Sequence, residues 1–156
     1  MLLGEILSED LIVPGLKAKD RWEAIEELLD LLVAQGKIAA ENRPAIEAVV
    51  RKRESSMSTG IGAGIGIPHA STELIGNATG AFGRSTGGVD FDALDNEPVN
   101  MVMLFLVPQG QFQKHLHTLK DIATIFRDKD FRANLESAKD ANEIWGIIKN
   151  FSSPND

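Results

Sequence analysis

The chain has three histidines and no cysteine, so imidazoles rather than thiolates are its candidate nucleophiles and metal ligands. His69 follows Pro68 at the end of a segment, residues 55–68, that is rich in Ser, Thr and Gly. Such a loop can present an imidazole to another protein. With an ordinary pKa of about 6.5 the ring is mostly neutral in a cell and can attack phosphorus. Taken alone, the Pro-His pair favours a turn histidine that is hydrogen-bonded to the backbone.

The other two histidines, His115 and His117, fall in a helix predicted over 113–127. Five apolar residues at helical spacing form one face of this helix: Leu116, Leu119, Ile122, Ala123 and Phe126. At about 100° per residue, His115 lies about 45° from the centre of that face and His117 about 155° from it. We therefore expect His117 to point to solvent. His115 is expected to face inward or to the edge, either as a packed, hydrogen-bonded side chain or as a neighbour of His69.

Arg53 continues an apolar stripe on an earlier predicted helix. The stripe consists of Ile46, Val49 and Val50, and Arg53 completes the i, i+3, i+4, i+7 pattern of a buried face. An arginine there requires an anionic partner. The partner can be the helix C-terminus or an acid such as Glu54, or it can be a phosphate, which a guanidinium grips through two donors. For Ser58 and Thr59, turn capping is the simpler interpretation, and hydroxyl donors to a phosphate are the alternative.

The glycines before His69 do not form a known nucleotide-binding motif. The segment has neither the Gly-Lys-Ser/Thr ending of a P-loop nor a complete GxGxxG after a strand. His115 and His117 point to different sides of their helix and no H-E-x-x-H is present, so we expect no metal. The net charge of −7 argues against a general nucleic-acid surface.

Helices and strands alternate loosely along the predicted chain. Asp20 and Glu23 have the spacing of a capping box before a helix that ends near Gly36, and Pro44 suits the first turn of a second helix. A short strand is predicted before Pro14, and longer ones are predicted at 78–84 and 99–107. The helix over 113–127 and a last one over 140–150 follow. We predict a single α/β domain over residues 1–156, with a mixed sheet flanked by helices on both faces.

Length and hydropathy also bear on location. With 156 residues the chain can bury a core without disulfides, and no apolar run approaches the roughly 20 residues that cross a bilayer. The N-terminus has no basic region before its apolar residues, unlike a signal peptide. We expect a cytoplasmic protein without membrane insertion.

Three ordered segments resemble one family over essentially the whole chain. STGIGAGIGIPHA at 58–70, FDALDNEPVNMVMLFLVP at 91–108 and HLHTL at 115–119 are similar to the fructose and mannitol type enzyme IIA domains of the bacterial phosphoenolpyruvate:sugar phosphotransferase system. The resemblance implies that His69 is phosphorylated by a histidine phosphocarrier protein. It also implies that His115 and Arg53 support the site and that no cofactor is needed. Ala70 stands where many relatives have glycine, which removes no reactive group.

Within that family, HLHTL and the free-standing length most resemble the nitrogen-regulatory enzyme IIA proteins. Two alternatives remain open from the sequence. In one, the chain passes phosphate to a fructose or mannitol type B domain during sugar import. In the other, it is a regulatory module that binds proteins according to its phosphorylation state.

Overall fold

The sheet is built around one long apolar strand. In the computed structural model, which describes residues 3–150, six strands are present. In chain order they are β1 (Ile12–Val13), β2 (Gly60–Gly62), β3 (Ile65–Gly66), β4 (His69–Thr72), β5 (Thr79–Val89) and β6 (Val99–Pro108). The sheet order is β1-β5-β6-β3-β2, with β4 also paired to β6. The strands predicted at 78–84 and 99–107 correspond to β5 and β6, and the predicted short strand before Pro14 is β1.

Six helices accompany the sheet within the described residues. They are α1 (Leu3–Ile6), α2 (Arg21–Ala34), α3 (Arg43–Ser56), α4 (Phe112–Phe126), α5 (Lys129–Ser137) and α6 (Ala141–Asn150), with 3₁₀ turns at Glu9–Leu11 and Ala40–Asn42. Asp20 caps α2 by accepting the Glu23 amide at 2.9 Å, and Asp140 accepts the Glu143 amide at the same distance. The predicted cap of α2 is therefore confirmed, and α6 has a cap of the same kind. None of these helices combines the length and apolar character needed to cross a membrane.

Helices cover both faces of the sheet. On one side α2 packs on β5 and against α3, while α3 packs on β4; in a second group, α4 contacts β6, α6 contacts β1, and α5 contacts both α4 and α6. Nine of the ten residues of β6 are buried, as a strand covered on both faces requires. The predicted mixed α/β sheet between helical layers is confirmed.

The glycine-rich segment is more regular than predicted. β2 and β3 form a short antiparallel hairpin, and β3 and β4 then run parallel to β6 along the same edge. A loop was predicted because glycine is rare in strands. Close packing explains the glycines: a Cβ on Gly60 would come within 2.7 Å of the Ala93 Cβ, and one on Gly66 within 2.8 Å of the Phe91 ring. Helix α5 was not predicted.

Candidate functional site

His69 is the first residue of β4 and its ring is held on two sides. Its Nδ1 lies 2.8 Å from the carbonyl oxygen of Ile67. The ring is stacked beside Phe112, the first residue of α4, with centroids 6.2 Å apart and planes inclined by 17°. Pro68 separates β3 from β4 and its carbonyl accepts the Phe105 amide at 3.0 Å. His69 is therefore positioned on a sheet edge beside the N-terminus of α4, with its side chain half-buried.

The contact with Ile67 determines the state of the imidazole. A carbonyl oxygen only accepts hydrogen bonds, so Nδ1 carries the proton of the neutral ring and Nε2 keeps its lone pair. Burial lowers the pKa of His69, the Ile67 carbonyl opposes that effect, and the positive charge of Arg53 lowers the pKa further. The ring is thus neutral at pH 7, with a free nucleophilic nitrogen at Nε2.

Arg53 lies beside His69 at the end of α3. Its Nη1 donates to the Met57 carbonyl at 2.8 Å, and its side chain lines the same clefts as His69. Met57 is the C-cap of α3, so the helix C-terminus, one of the predicted partners of Arg53, is observed. No ion pair joins Arg53 to Glu54 in the described structure. The predicted inward stripe is also displaced. Its buried members are Ile46, Val50 and Glu54, whereas Val49 is exposed and Arg53 half-buried.

Glu54 takes the interior position because its carboxylate is satisfied there. It accepts the amide and the hydroxyl of Thr59, each at 2.7 Å, and only 1% of the residue is exposed. Sequence reasoning treated Glu54 only as a possible partner of Arg53. The available signal was its spacing of four from Val50, which places both on one helix face. Spacing alone does not predict that a glutamate is buried, because charged residues are rarely buried unless they have partners, and the partners of Glu54 were not known from the sequence.

The hydroxyls of Ser58 and Thr59 stabilise the segment before β2. Ser58 Oγ donates to the Phe91 carbonyl at 2.8 Å and accepts the Gly60 amide at 3.1 Å. Thr59 Oγ1 donates to Glu54. Both hydroxyls therefore have partners within the protein, although only the contact of Ser58 with the Gly60 amide is the predicted turn cap.

His115 is buried on the inner face of α4. Its ring meets the edge of Phe105, with centroids 6.1 Å apart, and Phe105 is the strand partner of His69. Burial lowers the pKa of His115, and the charge of Lys114 adds to that effect. The two histidines thus flank the same phenylalanine, although no hydrogen bond between their rings occurs in the described residues.

The buried face of α4 is rotated from the predicted one. It comprises His115, Thr118, Ile122, Ile125 and Phe126. Leu116, predicted to be in the core, is 45% exposed because it faces the cleft. His117 points outward as predicted, and its Nε2 lies 3.3 Å from Asp121 Oδ2 on the rim of that cleft.

Two clefts adjoin His69 and Arg53. The larger has a volume of about 700 Å³, and its apolar lining includes Ile61, Leu94 and Leu116. The smaller, about 420 Å³, is bordered by Val49 and Phe112. Met57 and Leu94 are 61% and 63% exposed, an unusual position for large apolar side chains. A half-buried nucleophile bordered by a guanidinium and apolar walls suits transfer to or from another macromolecule.

Known proteins share the fold of this chain, that is, its arrangement of helices and strands. The family model for the EIIA 2 component of the phosphoenolpyruvate-dependent sugar phosphotransferase system matches residues 5–151. The chain belongs to this family. It is accordingly an EIIA component, a phosphotransferase of that system.

Individual relatives come from more than one branch of the EIIA family. The fructose-specific EIIABC component of Bacillus subtilis is 34% identical over 95% of this chain, which spans only 23% of that longer protein. The crystal structure of the nitrogen regulatory protein IIA-Ntr from Neisseria meningitidis has a TM-score of 0.84 and 32% identity, covering 94% of this chain and 98% of that one. An NMR structure of the complex of enzyme IIA mannitol with phosphorylated enzyme IIB mannitol from Escherichia coli has a TM-score of 0.76. The match covers 93% of this chain and 98% of that one at 18% identity, and it shows that the two share a fold.

Proposed function

We propose that His69 accepts a phosphoryl group at Nε2 from the phosphohistidine of a histidine phosphocarrier protein. The hydrogen bond between Nδ1 and the Ile67 carbonyl carries this proposal, because it leaves Nε2 unprotonated. The lowered pKa keeps the ring neutral at pH 7, so no separate base is required.

The transfer balances without movement of a proton. Nε2 of His69 supplies the electron pair for the new N–P bond, and the pair of the broken N–P bond returns to the donor's imidazole nitrogen. The donor ring carries a proton on its other nitrogen, so a neutral imidazole leaves. Nδ1 of His69 keeps its own proton, which stays hydrogen-bonded to the Ile67 carbonyl. Such a step depends on in-line positioning and on charge stabilisation, which proteins provide without covalent help.

Positive groups beside His69 would stabilise the phosphoryl oxygens. The Arg53 guanidinium borders the same clefts. The N-terminus of α4, marked by Phe112 against the ring, adds unpaired amides and a favourable dipole. We assign His115 a supporting role, as a neutral hydrogen-bond donor that would reach the phosphoryl group after small side-chain movements around Phe105.

We further propose that residues 1–156 form a single EIIA domain that acts in the cytoplasm, in a nitrogen-regulatory branch. This chain and the Neisseria IIA-Ntr protein cover each other almost completely, at 94% and 98%. Phosphorylation would add about −1.5 to −2 charges at the cleft, enough to change which proteins dock there. A sugar-import role is the alternative, supported by the fructose-specific relative and by the mannitol IIA–IIB complex of the same fold.

The first experiment is phosphorylation with purified components. The chain is incubated with phosphoenolpyruvate, enzyme I and a histidine phosphocarrier protein, and intact mass is measured under conditions that preserve phosphohistidine. We expect one phosphoryl group on the wild type and on His117→Ala, and none on His69→Ala. A folded wild type that stays unmodified with several carrier proteins would refute the proposal.

A chase distinguishes the two branches. Phosphorylated protein is mixed with purified fructose-type and mannitol-type B domains, and loss of label from His69 is followed with time. A regulatory EIIA is expected to retain its label, whereas a sugar-import EIIA transfers it within the mixing time.

A further inference from the structure

Glu54 occupies a position that is unfavourable for a carboxylate. It lies in the last turn of α3, where the helix dipole disfavours negative charge, and it is almost completely buried. Burial raises its pKa, whereas the hydrogen bonds from Thr59 and the charges of Arg21 and Arg53 lower it. Within residues 3–150, no cation lies at ion-pair distance from it. An apolar residue would fill this site at lower cost unless the two acceptor oxygens are needed.

Those oxygens begin a chain of hydrogen bonds that ends at His69. Glu54 accepts the amide and the hydroxyl of Thr59, each at 2.7 Å. The carbonyl of Thr59 accepts the Ile67 amide at 3.1 Å, and the Ile67 carbonyl accepts Nδ1–H of His69 at 2.8 Å. Thr59 and Ile67 flank the base of the β2–β3 hairpin, so the carboxylate anchors the segment that aims the Ile67 carbonyl.

We propose that Glu54 is a positioning residue for phosphoryl transfer: through Thr59 and Ile67 it fixes the orientation and tautomer of the His69 ring. The inference rests on the proposed role of His69. The connection is positional rather than electronic, because successive hydrogen bonds use different peptide units. Removing the acceptors frees the Thr59 backbone and, through it, the Ile67 carbonyl.

Glu27 offers a matched control. Its carboxylate also accepts two backbone amides, those of Lys17 and Ala18, each at 3.0 Å. Those bonds fasten the segment before α2 and do not involve the glycine-rich hairpin. Replacing Glu27 therefore removes the same kind of interaction without touching the chain that leads to His69.

The test compares Glu54→Met, Glu54→Gln and Glu27→Met in the full chain. Ring ¹⁵N shifts of His69 report its tautomer in the unphosphorylated protein, and the initial rate of phosphorylation by a carrier protein gives kcat/KM. We expect Glu54→Met to lose the fixed Nδ1–H tautomer. We also expect its kcat/KM to fall about 10- to 100-fold, as for a slightly misplaced nucleophile. Glu54→Gln keeps an acceptor oxygen, so we expect it to recover most of the Nδ1–H tautomer and most of kcat/KM. Glu27→Met is expected to match the wild type in both measurements.

A wild-type tautomer and an unchanged rate in folded Glu54→Met would overturn the inference. If Glu54→Met does not fold, two variants of Thr59 replace it in the test. Thr59→Val removes only the hydrogen bond from the hydroxyl to Glu54, and Thr59→Ser retains that bond. A lower rate and altered tautomer in Thr59→Val but not in Thr59→Ser support the inference, and identical values overturn it. The tautomer measurement needs no donor protein, so it remains decisive even if the wild type takes no phosphoryl group.

Discussion

Arg84 and Arg53 both contact backbone carbonyls, in different regions of the protein, and their surroundings differ. Arg84, on β5, is buried and donates to three carbonyls: Nε to Pro14 at 2.9 Å, and Nη1 to Leu135 at 2.8 Å and Ala138 at 2.5 Å. Arg53 is half-buried and has one such bond, to Met57. The first guanidinium is enclosed by partners, whereas the second borders two clefts.

The difference indicates what each charge does. Leu135 lies in the last turn of α5 and Ala138 caps it, so Arg84 satisfies carbonyls at a helix C-terminus, where positive charge is favoured. Arg84 thus joins β5 to α5 and completes the fold. Arg53 also bonds to a helix C-terminus, through the single carbonyl of Met57, but its side chain borders the clefts beside His69, where an anion can bind. The two roles predict opposite responses to the same substitution.

Arg84→Met should produce the largest effect on stability. Each buried acceptor left without a partner costs about 1–3 kcal/mol, so the loss for three carbonyls is expected to be about 3 kcal/mol or more. Urea unfolding followed by circular dichroism measures it, with Arg53→Met as the matched variant. Equal losses in the two variants would contradict the distinction between an enclosed and an open guanidinium.

Arg53→Met should mainly affect phosphorylation. Because a preorganised donor for developing charge is removed, we expect the initial rate to fall about 100-fold while the free energy of unfolding changes by less than about 1 kcal/mol. Arg53→Lys retains the charge but not the planar fork and should recover only part of the rate. A rate equal to wild type in Arg53→Met would remove Arg53 from the site.

The long elements of the fold could be predicted because their signals are local. α2, α4 and α6 follow from helical spacing, helped by caps such as Asp20, and β6 from a continuous apolar run. β2, β3 and β4 have only two to four residues each. β3 and β4 become strands because they pair with β6, and β2 becomes one because it pairs with β3. Helix α5 was missed because its signal is short: its buried residues are Phe131 and Leu135.

Prediction of the site was uneven for a related reason. The placement of His69 beside Arg53 agrees with the arrangement that the family resemblance implied. The burial of Glu54 could not be predicted, since it depends on how the chain turns after α3 and brings Thr59 back to the carboxylate. The outward turn of Leu116 likewise depends on the cleft, because apolar spacing alone places leucine in the core.

The pH dependence separates the partly enclosed His69 from an exposed histidine. Its lowered pKa means that the rate of phosphorylation should be constant above about pH 6.5 and fall only at lower pH. Because the folded state binds the proton less readily than the unfolded one, His69 also contributes stability that is present above about pH 6.5 and lost as pH decreases. An NMR titration of the His69 ring measures the pKa without the donor protein. A midpoint at or above about 6.5, the ordinary value for a histidine, would contradict the assigned environment.

His117→Gln is expected to have the smallest effect, although its side chain borders the same cleft as Arg53 and His69. The ring is largely exposed, and its 3.3 Å contact with Asp121 is an i, i+4 surface pair, worth no more than about 0.5 kcal/mol. The free energy of unfolding and the phosphorylation rate should both remain near wild type in the urea and intact-mass assays. A large loss of rate at unchanged stability would instead show that the carrier protein docks on the rim near His117. The surface that binds the carrier protein would then extend from Arg53 along α4 to His117.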